Sequence, residues 1–338
     1  MATASQNQET SRRIALLVYP GCMGAQVFGI ADLLRLAEHL AQALGQRPKA
    51  QVALQLVALR SGPVPLAGGF ELQARRPSGR YELLLVPGLD VGHPRDIEAT
   101  LRGLEAEIAF IARSFAKGST VASVCLGSFL LAEAGLAKGR RVTTSWLFAP
   151  AFAARYPQAQ LQADQVLVED GALISSGAVS SVFDLALQWV KRLYGARVAS
   201  AVAKVTLLPA PRASQAPFVD ERLLPPALPS FAQAVRGWLE QRLAEPFELA
   251  RLAAAFHISP RTLLRRIRQE TGSTPLALLQ QARVQRAKAL LAGGRQSTAQ
   301  IVAAVGYSDV PTFSRLFTRW VGESPARYRR RQLGPGLA

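Results

Sequence analysis

Short unbroken apolar runs, several closed by a Pro-Gly pair, punctuate the first two hundred residues. Residues 14–19 (Ile-Ala-Leu-Leu-Val-Tyr) end at Pro20-Gly21, and residues 83–86 (Leu-Leu-Leu-Val) end at Pro87-Gly88. A continuous rather than alternating apolar run marks a strand covered on both faces, as in a parallel sheet. Residues 51–59 and 120–124 read the same way, and residues 142–144, 166–169 and 173–175 read as shorter strands. Between them, residues 31–44, 101–116, 126–134, 179–195 and 198–206 have the spacing of helices that bury one face. Strands alternating with helices predict a doubly wound α/β domain over residues 13–206, preceded by a polar, disordered tail at residues 1–12.

The pattern changes at residues 207–229, a proline-rich stretch read as a semi-stiff linker, because proline removes backbone donors and disfavours helix before it. Residues 230–332 then carry helical spacing only, predicting an all-α domain. A short helix at 248–256, a turn at 257–260 and a helix at 261–269 are followed by a long helix at 275–291. The arrangement then repeats at 298–305, 306–309 and 310–320. Leu263, Arg265, Ile267, Gly272 and Pro275 reappear 50 residues later as Phe313, Arg315, Phe317, Gly322 and Pro325. This is a helix-turn-helix made twice. Ser259 in the first copy, and Ser308 or Asp309 in the second, stand where a side-chain oxygen can cap the second helix. Leu263, Leu264, Ile267, Phe313, Leu316 and Phe317 form the inward set, and the arginines between them point out.

Charge reinforces this reading. The chain has 338 residues and a net charge of +17; the segment from Ser230 onward holds 17 Lys and Arg against 6 Asp and Glu. A basic cluster on a domain with paired reading helices is a phosphate-binding surface rather than a merely solvated face. The two cysteines, Cys22 and Cys125, make no disulfide framework, and no apolar run reaches membrane-spanning length, so the expectation is a cytoplasmic protein without membrane contact. No Cys/His spacing fits a metal and no Gly-rich phosphate loop is present, so no metal and no cofactor are expected.

In the first domain, Ser123-Val-Cys125-Leu-Gly127 stands at a strand-to-helix junction. A sharp turn there lifts one side chain out of the sheet beside a helix N-terminus, a setting that lowers a thiol pKa. The alternative, which describes most free cysteines, is a small buried apolar side chain. Spacing alone does not choose between them.

Residues 259–272 (Ser-Pro-Arg-Thr-Leu-Leu-Arg-Arg-Ile-Arg-Gln-Glu-Thr-Gly), 301–309 (Ile-Val-Ala-Ala-Val-Gly-Tyr-Ser-Asp), 313–317 (Phe-Ser-Arg-Leu-Phe) and 322–329 (Gly-Glu-Ser-Pro-Ala-Arg-Tyr-Arg) resemble the DNA-binding domain of the AraC/XylS family of bacterial transcription regulators. Residues 83–88, 122–135 and 136–146 resemble the ThiJ/PfpI group of the class I glutamine-amidotransferase-like superfamily, which implies a flavodoxin-like fold. The two together resemble GlxA-type transcription regulators. In that superfamily's enzymes the elbow cysteine works with an acidic residue after the first strand and often with a histidine after a Thr-Thr pair. Those positions hold Gln26 and Ser145 here. Neither can exchange a proton near neutrality, so the resemblance implies a ligand pocket of Gln26, Cys125 and Ser145 with no catalytic residue. Of the three histidines, only His93 is placed by sequence to approach the site from a loop.

The leading expectation is a regulator that binds promoter double-stranded DNA through Arg261, Leu264 and Arg265 in one copy and Pro311, Thr312 and Arg315 in the other. Its first domain would bind a small effector and form a homodimer, and RNA polymerase is a further partner. The resemblance implies a nitrogen-containing metabolite, such as an amino acid or a quaternary amine. Three alternatives stay open: an oxidant sensor using Cys125, a hydrolase or glyoxalase fused to DNA-binding helices, and a first domain serving only for dimerisation.

Overall fold

The structure is a computed structural model that describes residues 12–46, 52–92, 96–209, 211–220, 223–224 and 230–333. His93 and the expected tail, apart from Arg12, lie outside the described residues. The chain divides into two compact units, Met1–Gln215 and Ala216–Ala338.

The first unit is built from β1 (Arg12–Leu17), α1 (Gly24–Ala43), β2 (Val52–Val57), β3 (Val64–Pro65), β4 (Glu71–Leu72), β5 (Leu83–Val86), α2 (Ile97–Arg102), α3 (Glu105–Ala116), β6 (Thr120–Val124), α4 (Gly127–Glu133), β7 (Arg141–Val142), α5 (Ala149–Arg155), β8 (Gln160–Leu161), β9 (Leu167–Asp170), β10 (Leu173–Ser176), α6 (Ser181–Tyr194) and α7 (Ala196–Val205). Its main sheet runs β2-β1-β5-β6-β10-β9, parallel except for the antiparallel β9 edge. That is the doubly wound, flavodoxin-like order. The residues of β5 and Val121–Val124 of β6 are fully buried, as continuous apolar runs require. Helices α1, α6 and α7 pack together, as do α3 and α4.

Three expectations change. The single helix over 101–116 is two helices broken at Gly103-Leu104. The strand expected at 142–144 is short and pairs with β8 outside the main sheet, leaving Thr143 to Ser145 irregular. The stretch read as a semi-stiff linker is fastened to the first unit over residues 211–215. Arg212 pairs with Asp184 of α6, and Ser214 bridges to Gln165.

The second unit contains α8 (Phe231–Glu240), α9 (Leu249–Ala255), α10 (Pro260–Thr271), α11 (Pro275–Ala292), α12 (Thr298–Ala304), α13 (Val310–Val321) and α14 (Pro325–Leu333). Ser259 and Asp309 cap α10 and α13, each accepting from the backbone N–H three residues on. Gly272 and Gly322 end those helices in the left-handed region that glycine enters without Cβ strain. Two apolar clusters share α11. One gathers Leu252, Leu263, Ile267, Leu278 and Leu279; the other gathers Val284, Leu291, Ile301, Phe313 and Phe317. Over its 18 residues α11 is about 27 Å long.

Between the clusters the buried Arg283 donates to the carbonyls of Leu243 and Glu245, both at 2.8 Å, and lies over the Tyr307 ring. It therefore ties the loop before the first motif to the turn of the second. Gly306, in that turn, has φ +80°, and a Cβ there would meet the Leu243 carbonyl and come within 2.7 Å of Arg283. Its counterpart, His257, bears a side chain at φ +52°. Gly306→Ala is therefore expected to cost about 2 kcal/mol or more, from strain plus collision. His257→Gly should change stability by under ~1 kcal/mol, because relief of strain offsets added chain entropy. Urea unfolding of both variants checks the contrast; equal losses would contradict it.

Candidate functional site: a closed cysteine elbow and two exposed reading helices

Strand β6 delivers its chain into Cys125 at φ +54°, a left-handed conformation rare for a residue with Cβ. The Cys125 amide donates to Ser176 O at 3.0 Å, and the hydroxyls of Ser128 and Thr144 lie 3.0 and 3.2 Å from its carbonyl. These bonds hold the turn against its strain. Gly127, at the start of α4, allows the Val86–Gly88 loop to approach, since a Cβ there would stand 2.6 Å from the Pro87 carbonyl.

Gln26, Cys125 and Ser145 come together around this turn. Gln26 Oε1 accepts the Gly88 amide at 2.5 Å, and a Cβ on Gly88 would lie 3.1 Å from Cys125 Cβ. Exposure is 0 % for Gln26, 4 % for Cys125 and 6 % for Ser145, so the site is closed over its polar atoms. Burial pushes the Cys125 thiol up to about 11, with backbone bonding at Leu126 and a hydrogen bond with Ser145 pulling only partly back. Cys22 is likewise pushed up to about 11 by burial. Of the two readings the sequence left open for this thiol, the environment favours the buried one, because desolvation outweighs the helix terminus. Tyr19, fully buried and bonded to the Pro87 carbonyl, stands within electrostatic reach of both cysteines.

Gln215 was missed by sequence reasoning, which placed it in the linker. It is 3 % exposed. Its Nε2 donates to the carbonyls of Thr144, Ala163 and Gln165 at 2.9, 3.1 and 3.0 Å, and its Oε1 accepts from Ala178 and Trp146 amides at 3.0 and 3.3 Å. Gly177 makes room for it, since any Cβ there would collide with the Gln215 amide. Gln215 thus fixes the backbone on both sides of Ser145. A single glutamine in a proline-rich stretch carries no sequence signal for this.

In the second unit Arg261, Leu264, Arg265, Pro311, Thr312 and Arg315 are all exposed, near the starts of α10 and α13, so Leu264 does not belong to the inward set in which the sequence also placed it. Arg266 is not part of that set; its guanidinium lies 3.8 Å from the Phe231 ring centre. A cleft of about 970 Å³ in the same unit is walled by Pro217, Phe218, Lys288 and Tyr328, where sequence analysis held no candidate. Among the described residues no His/Cys/Asp/Glu group is placed to hold a metal, and no helix is long and apolar enough to cross a membrane.

Comparison with known proteins meets this geometry at both ends. The DJ-1/PfpI family matches residues 12–192. The chain belongs to the DJ-1/PfpI family. A helix-turn-helix domain matches residues 252–331, joining that family's fold to an AraC-type DNA-binding domain as in GlxA-type regulators. The HTH-type transcriptional regulator CdhR of Pseudomonas aeruginosa is 30% identical over 219 residues, covering 63% of this chain and 63% of CdhR. The HTH-type transcriptional regulator GlxA of Rhizobium meliloti is 28% identical over 219 residues, 63% of this chain and 66% of GlxA. Protein DJ-1alpha of Drosophila melanogaster is 27% identical over 202 residues, 60% of this chain and 87% of that protein. The matches to the two regulators span less than two thirds of their length.

The raised thiols fix a pH dependence. Folded pKa values near 11 exceed the ordinary value of 9.0. Between those values the unfolded chain ionises its thiols while the folded chain stays protonated. The stability they contribute is complete below pH 9 and lost as pH approaches 11, at up to about 1.4 kcal/mol per unit for each thiol. Urea unfolding across this range should show a shallower alkaline decline for Cys125→Ser than for the parent. Parallel declines would contradict the assigned environment.

Proposed function

We propose that this chain is a sequence-specific transcription regulator, in which the helical unit binds promoter double-stranded DNA and the DJ-1/PfpI unit binds a small metabolite without turning it over. The observation that carries the reading is the pair of capped helices, α10 and α13, each presenting exposed residues from one basic unit. Arg261, Leu264, Arg265, Pro311, Thr312 and Arg315 are the proposed base-reading residues, because a recognition helix enters the major groove by its N-terminal half. The relatives' names as HTH-type transcriptional regulators support it.

On the sensing side, Gln26 and Ser145 offer hydrogen bonds but no general base, and a thiol pushed up to about 11 is a poor nucleophile at neutral pH. That disfavours both the enzyme and the oxidant-sensor readings, since redox-sensing thiols are acidic and accessible. The three side chains suit a polar group of a nitrogen-containing metabolite, and binding would require the closed site to open. A homodimer, RNA polymerase contact and a cytoplasmic location complete the proposal.

Selection from a randomised duplex library, followed by titration of the full chain, tests the DNA reading. Arg265→Ala should weaken the selected duplex by about 1–3 kcal/mol and relax one base position. Uniform weakening across sequences would make Arg265 a phosphate contact. For the sensing unit, a metabolite panel should contain a compound that raises the melting midpoint, with the gain reduced in Gln26→Ala. Turnover of an aldehyde or amide that disappears in Cys125→Ala would overturn the non-catalytic reading.

A further inference from the structure

The two reading helices share one sequence pattern but are capped differently, and the cap decides what the next hydroxyl does. In the first copy, Ser259 Oγ accepts the Thr262 amide at 3.2 Å and lies 3.0 Å from Thr262 Oγ1. The Thr262 hydroxyl is thereby turned toward the cap. Arg265, one turn further on, makes no hydrogen bond or ion pair among the described residues. In the second copy, Asp309 Oδ1 accepts the Thr312 amide at 2.8 Å, and the Thr312 hydroxyl accepts from Arg315 Nη2 at 3.1 Å.

The charged surroundings differ as well. Arg265 has Arg261 four residues before it and Arg268 three after; Arg315 has Pro311 before it and Arg319 four after. Like charges one turn apart repel, and they splay long side chains away from a common direction. Arg265 therefore sits between two such neighbours and has no brace. Arg315 has one such neighbour and a hydroxyl that holds one edge of its guanidinium.

We infer that Arg315, braced by Thr312, is the chain's principal base-specificity determinant, and that the α10 copy supplies mainly affinity with looser sequence preference. This rests on the DNA-binding reading above. A guanidinium held by one N–H keeps its other donors for the O6 and N7 acceptors of a guanine, the bidentate pairing that distinguishes this base. Ordering an unbraced arginine costs rotamer freedom at the moment of binding. The brace removes part of that cost and favours one direction of approach, which sharpens discrimination by roughly two- to tenfold. Arg261 and Arg265 remain free to reach either a base edge or a neighbouring phosphate. That freedom raises affinity across many sequences, and the one base position Arg265 reads is read less sharply than that of Arg315.

The test is selection of the full chain from a randomised double-stranded DNA library, read as base preference per position, with thermal melts to confirm that each variant folds. The enriched duplexes should hold two boxes. One contains a guanine whose preference disappears in Arg315→Ala, falls roughly two- to tenfold in Thr312→Val and returns in Thr312→Ser, because the hydroxyl and not the methyl is the brace. The cap exchange runs in both directions. Ser259→Asp should release the Thr262 hydroxyl to Arg265 and sharpen the first box; Asp309→Ser should blunt the second. Two equally sharp boxes, or an Arg315 guanine preference unchanged in Thr312→Val, would overturn the inference while leaving DNA reading intact. A library yielding no enriched sequence would overturn both.

Discussion

The guanidinium of Arg283 is the contact on which the geometry of the helix-turn-helix unit rests. A charge this deeply placed is tolerable only when its N–H groups find acceptors, and here two of them meet loop carbonyls while the flat face lies over Tyr307. Those acceptors belong to the approach to the first helix-turn-helix, and the ring belongs to the turn of the second. The apolar clusters on α11 supply most of the cohesion, but apolar contact is non-directional and leaves rotation about the helix axis loosely defined. The arginine supplies the direction. It also accounts for the glycine at 306, which a larger residue could not replace without pushing against the same carbonyl.

At the cysteine elbow a similar economy of polar groups gives a different outcome. The turn is kept with its strain, its carbonyl is doubly served by Ser128 and Thr144, and its close loop contact passes through Gly127. What surrounds the sulfur has changed character. With Gln26 and Ser145 as neighbours and almost no solvent, the thiol stays protonated, and the arrangement offers hydrogen bonds in place of proton transfer. Elbow geometry and elbow chemistry are thus separable: the first depends on backbone contacts, the second on burial of the thiol and on the two side chains beside it.

Much of this was legible in the sequence for physical reasons. Buried parallel strands such as residues 83–86 are continuous in apolar character, so β5 and β6 stand out, and the helix-turn-helix copies announce themselves through caps, left-handed glycines and periodic apolar residues. The hairpin of β3 and β4 was not visible, because two-residue strands have no period. Arg283 and Gln215 were not visible either. Each is a polar residue whose role comes from long-range hydrogen bonds, and local pattern contains no trace of a partner 40 or 71 residues away. Whether the Cys125 thiol is acidic or buried stayed open in the sequence for the same reason, since its desolvation comes from elements distant in sequence.

Gln215 sets a practical boundary for anyone dividing this protein. A fragment ended at the last turn of α7, where the helical pattern stops, would keep every strand and helix of the first unit. It would nonetheless strip five backbone groups, the carbonyls of Thr144, Ala163 and Gln165 and the amides of Trp146 and Ala178, of a partner at once. The gap would open beside Ser145, so water would enter next to the elbow rather than at the cut end. Such a fragment would report on an elbow whose backing had been removed, whereas one carried through residue 215 retains it.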